Sequence, residues 1–282
     1  MMFRKLKNKR KDNQVRVMSG EEFIRDVLKW EVDVEKEPEP KKKQGRTFCL
    51  SDLTDNDIEP IDNPENYREF KNKDEAEQWG RNIYDLWGQE VKRFENVKRR
   101  SSMFSDDNPW VYSPLQWYCG EGYKQINKYY RTGRSINDKY KYMAIRISEE
   151  LLLAPRIPEN IVLYRYVDEE FMNELINATK NNKSKRYYEK GFMSTSLLKS
   201  IIKDAYDKYE RSQYAPSQLY LLKLYVDKGT AGAYVNSIVK RDEFEMLLQN
   251  NLFLQICKKP YYDHEYKIMI VECKTRSFVT EY

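Results

Sequence analysis

Histidine is almost missing from this chain of 282 residues; His264 is the only one. Nucleophilic catalysis by a Ser–His or Cys–His pair would have to rest on it alone. It lies in the polar connection Tyr261-Tyr-Asp-His-Glu265, where an ordinary surface side chain is expected. Cysteine is scarce too, and Cys49, Cys119, Cys257 and Cys273 show no close C-x-x-C spacing. Zinc ligation and a disulfide framework therefore both lack support, and no metal is expected. No stretch approaches the roughly 18 consecutive apolar residues of a membrane span. The first residues, Met1-Met-Phe-Arg-Lys-Leu-Lys-Asn-Lys-Arg-Lys11, have no apolar block behind them. A conventional secretion signal is thus not expected, and the chain would stay in the cytoplasm that makes it or leave by a signal-independent route.

Charge of one sign is not in excess either. Fifty Lys and Arg against 45 Asp and Glu leave a net charge of +5, too mild for a dedicated nucleic-acid surface, so no specific nucleic-acid partner is expected. The local basic blocks, Lys5 to Lys11 and Lys41 to Lys43, read as parts of a solvated tail. Residues 1 to 65 are rich in Lys, Glu, Asp and Pro, as in Glu35-Lys-Glu-Pro-Glu-Pro-Lys-Lys-Lys43. Such a segment buries too little apolar surface to offset the entropy of ordering it. It is read as a charged, partly flexible extension, interrupted by one amphipathic piece in which Phe23, Val27 and Trp30 share a helical face.

What is present is a body of two unlike halves. From Asp74 a long helix is expected, because Trp79, Ile83, Leu86, Trp87, Val91, Phe94 and Val97 recur at three- and four-residue steps, with Asp74-x-x-Glu77 as a capping box. A loop through Asp106-Asp-Asn-Pro109 and helices over Gly122 to Arg131 and Asp138 to Leu153 follow, and Pro155 and Pro158 close this half. Beyond Pro158 strands are expected at Ile161–Tyr166, Gly191–Ser196, Gln218–Val226, Ala233–Asn236, Phe244–Leu248 and Tyr266–Lys274. Helices at Asp168–Lys180 and Leu198–Tyr209 interrupt them. The reading is an α+β fold in which residues 66–158 form a helical lobe and residues 159–282 are mainly β.

Within the β half, Glu243-Phe244-Glu245 is unusual. In an extended segment alternate side chains share a face, so both carboxylates would point one way with Phe244 opposite. Two like charges beside the apolar Met246, Leu247 and Leu248 raise each other's cost of ionisation and ask for a cationic partner. Arg241 or Lys240 could supply it as part of an edge-strand charge cluster, and a substrate could supply it equally well. Upstream, Arg165 closes the apolar run Asn160-Ile-Val-Leu-Tyr-Arg165, and Ser194-Thr195-Ser196 lies in Gly191-Phe-Met-Ser-Thr-Ser-Leu197.

Arginine, then Ser-Thr-Ser, then Glu-x-Glu, in that order, resembles the arginine-directed mono-ADP-ribosyltransferases. The likeness is to the enzymatic component of clostridial binary toxins and to the vegetative insecticidal toxins. Tyr118, Tyr123 and Asn127 stand where that family has two tyrosines and an asparagine lining the dinucleotide pocket, and the likeness runs from about Asn66 to the C-terminus. It implies two packed β-sheets forming an NAD cleft beside the helical lobe. It also implies NAD as cosubstrate and a target protein bearing an acceptor arginine, with actin as the target by likeness and a delivery partner in the binary toxins.

On that resemblance Arg165 binds phosphate oxygens with its fixed fork of donors, and Glu245 is the catalytic glutamate facing the ribosyl cation that develops as the glycosidic bond breaks. A unit charge about 4 Å away at an effective dielectric near 20 is worth roughly 4 kcal/mol, about three orders of magnitude in rate. Glu243 would hold the acceptor guanidinium and assist its proton loss. Ser194 would orient Glu245, with Thr195 and Ser196 holding the strand and bordering the cofactor. The family's second strand arginine is replaced by Tyr166, and its later aromatic and arginine by Tyr206 and Lys208. Taken residue by residue, Tyr118 and Tyr123 are equally compatible with plain packing, Asn127 with a solvated helix face, and Ser-Thr-Ser with a polar strand end. Two other functions compete with the transferase: a retired transferase fold used as a binding module, and a glycoside-type hydrolase using Glu243 and Glu245 as acid and base. Release of nicotinamide from NAD separates them.

Overall fold

The computed structural model describes residues 49–100, 114–134, 138–200, 219–239 and 243–277. The amphipathic piece around Phe23, the loop through Asp106, the helix expected beyond Ser200, Tyr206 and Lys208 all lie outside the described residues. The compact unit runs from Thr47 to Tyr282. Residues 50–66 therefore belong to the body: three short 3-10 turns cross it, burying Leu53, and the backbone N–H of Glu59 donates to Ile256 O at 3.2 Å. Hydrophobic residues spaced along this polar segment, Leu53, Ile58 and Ile61, give it a place against the core.

Helix α1, Lys73–Arg100, is the long helix expected. Its cap is Asn72 rather than Asp74, because the Asn72 carboxamide accepts the Glu75 backbone N–H at 2.9 Å and satisfies one of the open donors of the first turn. Trp79, Tyr84, Trp87 and Val91 are buried. Leu86 lies just past the edge of that stripe and is 79% exposed, while Phe94 and Val97 lie beyond the described side chains. A four-residue helix α2, Pro114–Trp117, passes through a π-helical turn, Tyr118–Gly122, into α3, Tyr123–Thr132. Gly133, at φ 66°, then takes the left-handed conformation that closes a helix C-terminus. Helix α4, Asp138–Leu153, ends before Pro155, as read from the sequence.

Nine strands are found among the described residues: β1 Ile161–Asp168, β2 Tyr187–Glu189, β3 Met193–Ser196, β4 Leu219–Val226, β5 Gly232–Tyr234, β6 Glu245–Leu248, β7 Leu252–Ile256, β8 Tyr261–Asp263 and β9 Ile268–Ser277. Helix α5, Glu169–Asn181, follows β1 and is capped by the Asp168 carboxylate, which accepts from Phe171 N. The hydrogen-bonded order is β2-β7-β9-β4-β1-β3-β6-β5, with β8 on β9. The nine strands form one continuous sheet, narrowest where β1 and β3 join at the single pair Tyr164↔Ser196, while β1 and β4 pair over their whole length. The expected α+β class stands, with the strands of the two expected sheets joined edge to edge at that pair into a single one.

Alternation along β1 decides which side each residue serves. Ile161, Leu163 and Val167 face the main core under the helices, whereas Val162 and Tyr164 face a second, smaller core that includes Tyr67 and Tyr225. Arg165 has the parity of Leu163 and Val167 and so lies on the helical side, at the seam with β3.

Candidate active site

The seam brings the sequence motifs together. Arg165 on β1 donates from Nη1 to the backbone carbonyl of Ser194 at 2.7 Å. Ser194, on β3, donates from Oγ to Glu245 Oε1 on β6 at 2.5 Å. Residues from three strands thus form one hydrogen-bonded chain, and Glu245 at its end is 4% exposed. Register explains the meeting: Ser196 pairs with both Tyr164 and Glu245, so β3 carries its hydroxyl strand between the arginine and the glutamate. Arg165 Nε is buried with no hydrogen-bond partner. A buried charged donor of this kind is costly unless an acceptor reaches it, and an anionic phosphate oxygen is a fitting one.

The three hydroxyls of β3 divide their work. Thr195 Oγ1 donates to Met246 O at 2.7 Å, and Ser196 Oγ donates to Glu243 O at 2.9 Å. Both hold β6 in register, and Ser194 alone addresses a carboxylate. Glu243 and Glu245 do not share an extended strand as the alternation rule predicts. Strand β6 begins at Glu245, Phe244 takes a positive φ of 48°, and Glu243 sits exposed in the preceding turn. Burial of the Phe244 ring, 5% exposed, offsets that left-handed backbone. One carboxylate therefore lies inside the seam and the other at its rim, a difference of environment suited to two separate tasks.

Tyr118 and Asn127 support this centre from the helical lobe. The Tyr118 hydroxyl donates to Phe192 O at 3.2 Å and accepts from Asn127 Nδ2 at 3.1 Å, while Asn127 Oδ1 accepts the Phe192 N–H at 2.9 Å. Burial pushes the Tyr118 phenol above its ordinary range, against the opposing effects of Arg165 and the Asn127 hydrogen bond and with a further rise from Glu245. Its ring meets Phe192 edge-on at 5.5 Å. Asn127 is 3% exposed, so the solvated-face alternative fails for it; the carboxamide clamps the backbone two residues before Ser194. Tyr123 stays outside this cluster, 40% exposed on α3 with the Lys124 ammonium 5.9 Å from its ring.

Sequence reasoning missed two supporting groups. Buried Glu189 accepts from Arg131 Nε and Nη2 at 3.0 and 2.9 Å and from the Gly191 N–H at 2.7 Å, bracing the entry to β3. Asn236 Oδ1 accepts the backbone N–H of Glu245 at 3.3 Å. Only the glycine at position 191 hinted at the first: a Cβ there would come within 2.9 Å of Asn127 Oδ1. Among the described residues no cluster of three or more His, Cys, Asp or Glu is arranged to hold a metal, and no helix is long and apolar enough to cross a membrane.

Strands joined at a seam that gathers an arginine, a serine and a buried glutamate, with helices covering one side, form an ADP-ribosyltransferase-like fold. Residues 76–281 match the family described as ADP-ribosyltransferase exoenzyme, and the chain belongs to that family. No curated protein sequence matches it. Its fold is similar to that of the ADP-ribosylating toxin BECa of a binary enterotoxin of C. perfringens, solved with NADH, at 22% identity and a TM-score of 0.53 over 74% of this chain and 50% of that one. An ADP-ribosyltransferase from Clostridium botulinum and the C3 exoenzyme of Clostridium limosum are each 18% identical with a TM-score of 0.51 over 74% of this chain. They are covered over 98% and 97% of their lengths, whereas the matched region spans half the C. perfringens toxin.

Proposed function

We propose that this protein is an NAD-dependent mono-ADP-ribosyltransferase that transfers ADP-ribose to an arginine of a target protein, in the manner of a toxin or effector. The observation that carries the reading is the chain Arg165–Ser194–Glu245, three side chains from three strands with the buried carboxylate fixed by a 2.5 Å hydrogen bond. Family membership supports ADP-ribosyl transfer, while the choice of arginine as acceptor rests on Glu243.

In this reading Arg165 binds a phosphate of NAD through the donors its contact with Ser194 leaves over, Nε among them. Glu245 faces the ribose, accepting from its hydroxyls and countering the positive charge that grows on the anomeric carbon as the bond to nicotinamide breaks. Nicotinamide leaves with the bonding electron pair, a guanidine nitrogen forms the new bond to the same carbon, and the proton it sheds passes to Glu243. The exposed position of Glu243 suits contact with a macromolecular acceptor, and its charge suits a guanidinium. Tyr118 and Asn127 act chiefly by holding Phe192, and hence β3, in place. Tyr123 would border the bound dinucleotide with its side chain, and Thr195 and Ser196 with the backbone of β3 alone, their hydroxyls being engaged with Met246 O and Glu243 O. Actin is the first protein to assay, with residues 1–46 as the segment to test against a delivery partner.

Incubating the full chain with tagged NAD and a cell lysate, then locating the label by mass spectrometry, tests the acceptor. Label on arginine supports the reading, and label confined to asparagine or to no protein contradicts it. A Glu243→Gln variant should lose labelling of arginine while still releasing nicotinamide.

A further inference from the structure

The sheet is narrowest where the active-site residues cross it. Ser194 and Glu245 lie on β3 and β6, which pair along their whole length and so move as one piece. Arg165 lies across the gap on β1, which is bound along its whole length to β4, with β9 and β8 beyond. Tyr164↔Ser196 is the one strand pair that joins the two parts.

A side-chain link spans the same gap from behind. Lys199, just past the end of β3, donates from Nζ to Asp263 Oδ2 at 2.6 Å, and Asp263 is the last residue of β8. The ammonium also lies 4.3 Å from the centre of the Tyr266 ring, which packs on the smaller core, on the face of the sheet away from Arg165. Lys199 is 25% exposed and Asp263 14%, so the pair is better shielded than an ordinary surface ion pair. Asp263 is itself fixed, because its Oδ1 accepts the backbone N–H groups of Glu265 and Tyr266 at 3.0 and 2.9 Å and closes a turn. Burial raises the Asp263 carboxyl, but the hydrogen bonds from Lys199 and from the Tyr266 N–H prevail and hold it below its ordinary range. Toward the site, Leu197 N donates to Phe244 O and Leu198 N to Ser196 Oγ, both at 3.1 Å, so the segment carrying Lys199 is tied to β3 and to the turn before β6.

We propose that Lys199 is a positioning residue for NAD binding: its ion pair with Asp263 clasps β3 to the β8 and β9 side of the sheet and so sets the spacing between Arg165 and the Ser194 and Glu245 pair. The inference rests on the transferase reading of that site. A dinucleotide held by a phosphate on Arg165 and by its ribose at Glu245 spans the gap, so its affinity depends on how the two parts are spaced. Cleavage of bound NAD depends on Ser194 and Glu245, which share one part and keep their own hydrogen bond. Releasing the clasp therefore weakens binding more than it slows the bond-breaking step.

The test uses the full chain with Lys199→Ala, Asp263→Asn and the double variant. Asp263→Asn removes the charge but keeps an oxygen for the Glu265 and Tyr266 N–H groups, so the turn survives it, and it decides the question if Lys199→Ala does not fold. The Kd for NAD is read by titration calorimetry, kcat and KM by nicotinamide release, and folding by thermal unfolding. Each single variant is expected to raise Kd and KM fivefold or more with kcat within twofold of wild type. The double variant should bind no more weakly than the worse single one, since the same bond is lost in each. Simple attraction of the anionic dinucleotide predicts opposite signs for the two single variants, because one removes a cation and the other an anion; the clasp predicts weaker binding for both. Unchanged or tighter binding by Asp263→Asn, or a kcat that falls as far as the affinity, overturns the assignment. A wild type that binds NAD without cleaving it overturns the transferase reading, while the calorimetric values still decide the clasp. A wild type that does not bind NAD overturns both.

Discussion

Replacing Ser194 by Ala removes one oxygen atom and separates two roles that lie one residue apart. The lost bond is from a neutral hydroxyl to a carboxylate, at 2.5 Å, and the acceptor is buried. Such charge-assisted bonds are worth about 1.5–3 kcal/mol. If the bond serves mainly to hold Glu245 in its working orientation, the rate of NAD cleavage falls roughly 10- to 100-fold. Strand β3 itself should persist, since Ser194 pairs with Leu247 through its backbone and Arg165 binds its carbonyl. Thr195→Val is the matched control. Its hydroxyl serves only Met246 O, so the variant should lose about 1 kcal/mol of stability with little change in cleavage by the folded fraction. Both variants are compared by nicotinamide release under saturating NAD and by denaturant unfolding. Cleavage by Ser194→Ala within twofold of wild type would refute the claim that this hydroxyl governs Glu245.

Three further outcomes test the supports. Gly191→Ala should destabilise the protein by about 1–3 kcal/mol and slow NAD cleavage, because its Cβ displaces Asn127 Oδ1 and frees Phe192; urea unfolding and nicotinamide release check it. Glu189→Gln should cost about 1–2 kcal/mol in the same unfolding experiment, less than a fully buried pair, because Arg131 is 42% exposed. For Asp57, burial raises the carboxyl, but hydrogen bonds from Lys180 and Thr54 prevail and bring it to about 2 from an ordinary 3.8. A depressed folded-state value means that this contribution to stability is present above about pH 4 and is lost as the pH falls through about 2. Asp57→Asn should flatten the acid limb of the stability profile over that interval, and an unchanged limb would contradict the assignment.

Long periodic elements were readable and short irregular ones were not. The stripe through Trp79, Trp87 and Val91 announces α1, and the two prolines after Leu153 mark the end of α4, because amphipathic repeats and missing donors act locally. Strands β2, β7 and β8 are three to five residues long, too short for alternation to stand out, and their pairing depends on distant partners. Arg165, Ser194 and Glu245 were legible as an ordered set, and the structure joins them. The turn at Phe244 was not, because a bulky residue at positive φ defies local preference and is held there by tertiary burial. For the same reason the bond from the Tyr234 hydroxyl to Glu77 left no trace in the sequence: it joins residues far apart in the chain, each unremarkable in its own neighbourhood.

The most direct test is nicotinamide release from NAD by the wild-type chain and by Glu245→Gln, with folding of both checked by thermal unfolding. Steady release by the wild type and a loss of about three orders of magnitude in the variant are predicted. Equal release by the two proteins would place the chemistry elsewhere in the chain, and no release by either would leave this fold without the activity assigned to it.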